Sequence, residues 1–270
     1  MFDWNIHLPC RKSSDLQGRL LDEFTMTSDQ LISCLNHYSP SIHNAVSTGN
    51  FMIFNHSLEY ESVKLLSSEF RRDFSGSLVT FLADLNSSTP FESVKKLNSS
   101  GVDAIKFHCY AQKISEKFYG VALEYSRAAE DFNMPIFIDT SYGSVDMYCY
   151  DNLKLAAFLL SEIKSVPVVL LHSGGARAME AFLLADACPN VFLDTSFSVP
   201  YYMDSTIEKD LAFAYKRIGV ERVLFGSDFP YISFEDALSK TRLFFERNGF
   251  LDSEIEIVFS NTPQKVLRGL

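Results

Sequence analysis

Apolar residues along the chain come in short runs, each bounded by glycine, proline or a polar cluster. One set of runs is rich in β-branched and aromatic residues. It comprises FDWNIH (2–7), NFMIFNH (50–56), GSLVTFLA (76–83), DAIKFHCY (103–110), PIFIDTS (135–141), PVVLLHSGG (167–175), NVFLDTS (190–196) and RVLFGSDFP (222–230). Such runs read as strands. Between most of them the spacing changes to a helical period. In 115–132, Phe118, Val121, Ala122, Tyr125, Ala128, Ala129 and Phe132 fall on one stripe. The stretches 151–164, 176–187, 204–218 and 234–248 read the same way. A last helix over 253–267 is predicted to break near Pro263.

Strands alternating with helices imply parallel β-α units. Eight strands is the number that closes an α/β (β/α)8 TIM barrel. The rival is an open doubly wound sheet, which normally places a glycine-rich phosphate loop after its first strand. Here LPCRKSSD follows instead, so the barrel is the expected fold. No linker or low-complexity segment divides the chain, which predicts one domain over 1–270.

Active sites of such barrels lie at the C-terminal mouth of the strands. Polar residues late in each strand therefore matter most. In the first strand Asp3, Asn5 and His7 alternate with Phe2, Trp4 and Ile6, which predicts one polar face. Lys106 and His108 share a face of the fourth strand. Asp139 ends the fifth, His172 the sixth, Asp194 the seventh and Asp228 the eighth. Taken alone, a histidine ending a strand is usually structural, and an aspartate there often caps the next helix. Asp194 reads that way. His7, Asp139, His172 and Asp228 would nevertheless converge on one mouth. Inward acidic groups in such number require compensation, and a cation supplies it.

Composition narrows the partners. The net charge is −10, which disfavours nucleic acid and anionic membrane, since both select basic patches. The apolar runs are too short for a transmembrane helix. No basic-then-apolar leader opens the sequence. Five cysteines without a CxxC spacing read as reduced thiols in a cytoplasmic protein. The expected partner is a small-molecule substrate.

The quoted motifs resemble the amidohydrolase superfamily, in its amidohydrolase-related branch of lactonases, dicarboxylate hydrolases and non-oxidative decarboxylases. MFDWNIHLP is similar to that family's D-x-H-x-H first strand, and PIFIDTS to its strand-five segment ending H-T. VVLLHSGG resembles H-x-G-G, RVLFGSDFPY resembles R-(apolar)-(apolar)-F-G-S-D-(aromatic)-P, and SNTPQKVL resembles the family's closing helix. The resemblance implies a divalent metal held at the positions of Asn5, His7, Asp139 and Asp228. It also implies that His172 hydrogen-bonds or protonates the reacting group. Homodimers are common in similar proteins, so a homodimer is a further expectation.

Asn5 and Asp139 stand where the family has histidines. The resulting set is harder and more negative than a zinc site, which moves preference from zinc toward manganese, magnesium or calcium. Three outcomes follow: a metal-dependent enzyme, a metal-free enzyme using Asp139, His172 and Asp228, or a silent barrel that binds a small molecule. The first is the expectation. In it a metal-bound water is activated, Asp228 shuttles its proton and His172 meets the oxyanion. Hydrolysis of a lactone, ester or amide is expected over decarboxylation, because the chain is short for this family. Lys106 and His108 are candidates to bind a substrate carboxylate or phosphate, with an ion pair from Lys106 to Asp3 or Asp139 as the plainer role. Ser173, Tyr142 and Arg177 are weaker candidates. Tyr142, Tyr148, Tyr150, Tyr201, Tyr202 and Tyr231 suggest an aromatic mouth suited to a ring-shaped substrate.

Overall fold

The β-branched and aromatic runs become strands buried on both faces, as parallel sheets require. In this computed structural model, which describes residues 1–9, 22–142, 145–261 and 265–266, they are β1 (Phe2–Ile6), β2 (Thr48–Ile53), β3 (Leu78–Leu82), β4 (Ala104–His108), β5 (Ile136–Asp139), β6 (Val168–Leu171), β7 (Val191–Asp194) and β8 (Val223–Leu224). Neighbours pair in parallel and in chain order. β1 meets β8 through Trp4 N–H to the Phe225 carbonyl at 2.9 Å and His7 N–H to the Phe229 carbonyl at 2.7 Å. The expected barrel is the observed one.

Two apolar layers follow from the two strand faces. Met52, Leu82, Ala104, Phe137, Val169, Leu171, Phe192 and Leu224 pack inside the barrel. Phe51, Val79, Ile105, Ile136, Leu170 and Leu193 face the helices. β1 departs from the alternation predicted for it. Phe2 and Trp4 belong to the interior cluster, Ile6 to the outer one, and the pairing register shifts between Asp3 and Ile6. Asp3 does not share a polar face with Asn5 and His7. Its carboxylate instead accepts Asn5 N–H and Ser227 N–H, each at 3.0 Å.

The singled-out helical stretches form helices at Tyr119–Asp131, Asn152–Leu160, Ala178–Ala187, Thr206–Ile218, Phe234–Arg247 and Asp252–Ser260. Pro263, where the last was expected to break, lies outside the described residues. Helices at Ser28–Ala45, Tyr60–Asp73 and Pro90–Ser99 complete the outer ring. Their stripes are thin: the last buries only Pro90, Val94 and Leu97. The first contains Pro40 but opens on a capping box between Thr27 and Gln30.

Cys109, Cys149 and Cys188 are free thiols. Cys34 is disulfide-bonded, which corrects the reading of all five cysteines as reduced. No helix among the described residues is long and apolar enough to cross a membrane.

Candidate active site

Strand ends deliver the polar residues to one mouth. Inward alternation on β4 places Lys106 one layer below His108. Asp139 ends β5. His172 and Asp228 sit just past β6 and β8 with φ of 64° and 63°, a region costly for side chains other than glycine. Each is pinned by backbone hydrogen bonds. His172 N–H donates to Asp194 Oδ1 at 2.5 Å, and Asp228 N–H donates to the Asn5 carbonyl at 3.0 Å. Asp194 therefore fixes the His172 backbone, rather than capping a helix as expected.

The mouth encloses a cavity of about 380 Å³ lined by His7, Glu23, Phe24, Phe54, His108, Tyr110, Asp139, Ser141, His172, Phe197, Asp228 and Tyr231. Two carboxylates organise it. Asp139 Oδ2 has Lys106 Nζ at 3.4 Å, His172 Nε2 at 3.3 Å and His108 Nε2 at 3.5 Å. Its Oδ1 accepts Ser141 N–H at 3.1 Å and Ser141 O–H at 2.5 Å. Asp228 Oδ1 accepts Asn5 Nδ2–H at 3.1 Å and faces His7 Nε2 at 3.5 Å, the outer limit of a hydrogen bond. On its other side His7 Nδ1 meets Glu23 Oε2 at 3.0 Å, and the Tyr231 hydroxyl donates to Glu23.

These contacts set protonation. Burial alone would raise Asp139, but His108, His172 and Lys106 outweigh it and hold the carboxyl well below its usual range. Burial would likewise raise Asp228, yet His7 and His172 lower it. Burial would lower His172, but Asp139 raises it to about 9. His7 follows the same course under Glu23 and Asp228, to about 9. His108 shares Asp139 with stronger cations, and burial takes it down to about 4. At neutral pH the cavity thus sets ionised carboxylates against imidazolium groups.

His7, His108, Asp139, His172 and Asp228 come together as expected, with Lys106 and Asn5 buried beneath. Lys106 Nζ lies 3.4 Å from Asp139 Oδ2. Tyr142 and Arg177 are not brought to the cavity. Arg177 is held by Asp151 at 2.8 Å and by Glu180, and it donates to the Tyr142 hydroxyl. Both therefore lie outside the cavity lining, with their polar groups met by neighbouring side chains. Of the tyrosines expected at an aromatic mouth, Tyr231 lines the cavity, while Tyr148 and Tyr201 are exposed. Sequence reasoning missed Glu23, Tyr110 and Ser196. Tyr110 lies two residues past His108 and was open to the same strand-end logic. Glu23 lies in a short turn with no pattern to mark it.

With Lys106 in place, the residues at the implied metal positions are turned toward one another and do not fit a divalent ion. The Asn5 amide turns its NH2 group, not its oxygen, toward Asp228 and toward Ser196 Oγ at 3.0 Å. Reversal would press its oxygen against a carboxylate. The Asp139 oxygens are occupied by Ser141 and three basic side chains. His7 Nδ1 is taken up by Glu23 at 3.0 Å, and its Nε2 faces Asp228 at 3.5 Å. Lys106, His7 and His172 already set positive charge against Asp139, Asp194 and Asp228. Among the described residues, no group of three His, Cys, Asp or Glu side chains is placed to hold an ion.

An eight-stranded parallel barrel with titratable groups converging on its C-terminal mouth has the architecture of a TIM-barrel enzyme. The amidohydrolase family model matches residues 88–269, and the chain belongs to the amidohydrolase family. The fold is similar to several solved structures. One is an amidohydrolase from Burkholderia multivorans with bound zinc, at TM-score 0.68 and 15% identity, covering 99% of this chain and 98% of that one. A second is a probable 2-pyrone-4,6-dicarboxylic acid hydrolase from Acinetobacter baumannii with citric acid bound, at TM-score 0.59 and 15% identity, covering 96% and 99%. A third is a 2,6-dihydroxybenzoate decarboxylase from Rhizobium, at TM-score 0.59 and 13% identity, covering 99% and 96%. No curated protein matches the chain.

Proposed function

We propose that the cavity hydrolyses a small-molecule lactone, ester or amide. The observation that carries this reading is an acid and a base facing one cavity. Asp228 is held ionised, and His172 is held protonated by Asp139. Asp228 orients a water and takes its proton as the oxygen adds to the carbonyl carbon. His172 donates to the oxyanion that develops. The proton on Asp228 then passes to the departing oxygen or nitrogen as the acyl bond breaks. The Ser196 carbonyl, 3.1 Å from His172 Nδ1, orients the ring, and Nε2–H, 3.3 Å from Asp139 Oδ2, turns from that carboxylate to the oxyanion.

Magnitudes sharpen the substrate class. A carboxylate with a lowered pKa is a weak base, so activation of the carbonyl has to carry more of the barrier. That favours lactones and activated esters over amides. Phe24, Phe54, Tyr110, Phe197 and Tyr231 wall the cavity, which suits a planar ring.

The test is a panel of small lactones, aryl esters and amides, run beside aromatic carboxylates. Acid product from a lactone or ester is the expected result. Carbon dioxide release from an aromatic carboxylate, with no panel member hydrolysed, would transfer the site to the decarboxylases.

A further inference from the structure

Lys106 is the one ammonium on the cavity floor among the described residues, and the fold goes to some length to keep it there. Its side chain is 1% exposed, with Nζ 3.4 Å from Asp139 Oδ2. The same nitrogen lies 4.5 Å from the centre of the Phe54 ring, on its face. No hydrogen bond uses its donors. A buried ammonium is costly unless paired and hydrogen-bonded, and here it is paired only in part, since His108 and His172 share the same carboxylate oxygen. A purely structural counterion would be expected to spend its donors. This one keeps them free beneath the cavity.

The place it occupies is the second observation. Asp139 stands at an implied ligand position. A divalent ion on Asp139 Oδ2 would sit about 2 Å from that oxygen, within a few ångströms of Nζ. Two such cations in a dry site repel strongly. We propose that Lys106 replaces the divalent metal as the resident cation of this site, and that the ammonium and the metal exclude one another. The ammonium does what a point charge does there. It holds Asp139 ionised. Unlike a metal, it gives no coordination bond.

Metal uptake and melting are read without any substrate, so this proposal and the hydrolase reading fail separately. Wild type, Lys106→Arg and Lys106→Met are each equilibrated with manganese or zinc. Bound metal is then measured together with Tm across a millimolar titration. The expected result is no stoichiometric metal and no Tm shift for wild type and Lys106→Arg. Lys106→Met is expected to gain about one ion per chain, as a single mononuclear site would, with a Tm that climbs with ion concentration. Lys106→Gln carries the same expectation should the methionine variant not fold. Wild type holding about one ion per chain would overturn the proposal. So would a folded neutral variant that still refuses metal, because the donor set rather than Lys106 would then be excluding it.

Discussion

His7 is gripped from both sides, by Glu23 at 3.0 Å and Asp228 at 3.5 Å. Removing one grip is informative. In Glu23→Gln the strongest partner charge disappears, so the His7 pKa is expected to fall from its value of about 9, read by NMR titration of the ring protons. An unmoved titration would contradict the arrangement. Close packing makes a second prediction. A Cβ added at Gly226 would lie 2.4 Å from Asp194 Oδ2 and 3.0 Å from Ser196 Cβ. Gly226→Ala should cost about 1–3 kcal/mol, as overpacked cores do, measured by urea denaturation. Wild-type stability would show that the Asp194–Ser196 layer yields. At this scale His7, Asp139, His172 and Asp228 were legible, because strand ends point at the mouth whatever the loops do. Glu23 was not, since a turn residue reaches a site only through tertiary placement. Arg177 misled because sequence shows a charge but not the Asp151 and Glu180 that absorb it.

The alternation of short apolar runs with helical stretches was enough to order β1 to β8. It was not enough for the detail of β1, where the pairing register shifts between Asp3 and Ile6, Trp4 packs inside the barrel and His7 lines the mouth. Nor did it mark the Pro90–Ser99 helix, whose buried stripe is too thin to stand out. Asn261, just after the Asp252–Ser260 helix, joins three carbonyls of the chain around β8. Its amide donates to Val223 at 2.8 Å, Glu221 at 3.3 Å and Val220 at 3.4 Å. Asn261→Ala strands those buried groups. It should cost about 1–3 kcal/mol in urea denaturation, and an unchanged midpoint would show that the clamp is dispensable.

Across the whole molecule the buried mouth couples stability to pH. His7 and His172 bind protons to about pH 9 in the fold, against 6.5 ordinarily. Their contribution is therefore fully present below pH 6.5 and lost as pH rises through 9. Asp3 and Asp194, raised by burial to about 7 and about 6, add a decline that runs from 3.8 up to those values, ahead of that window. Asp139 and Asp228 are depressed, so their contribution is present above 3.8 and lost as pH falls through their folded values. Urea midpoints should fall between pH 6.5 and 9, less steeply in His172→Asn. A flat or rising curve would contradict the charge assignment.

Hydrolysis at this mouth requires Asp228 and His172 to act together on a carbonyl. Its most direct test is the turnover of the best panel substrate by wild type, Asp228→Asn and His172→Asn, each confirmed folded by circular dichroism. A loss of about 10²- to 10⁴-fold in kcat for each variant is predicted, the usual worth of a positioned acid or base. Turnover within a factor of about two of wild type in either variant, far short of that worth, would contradict it.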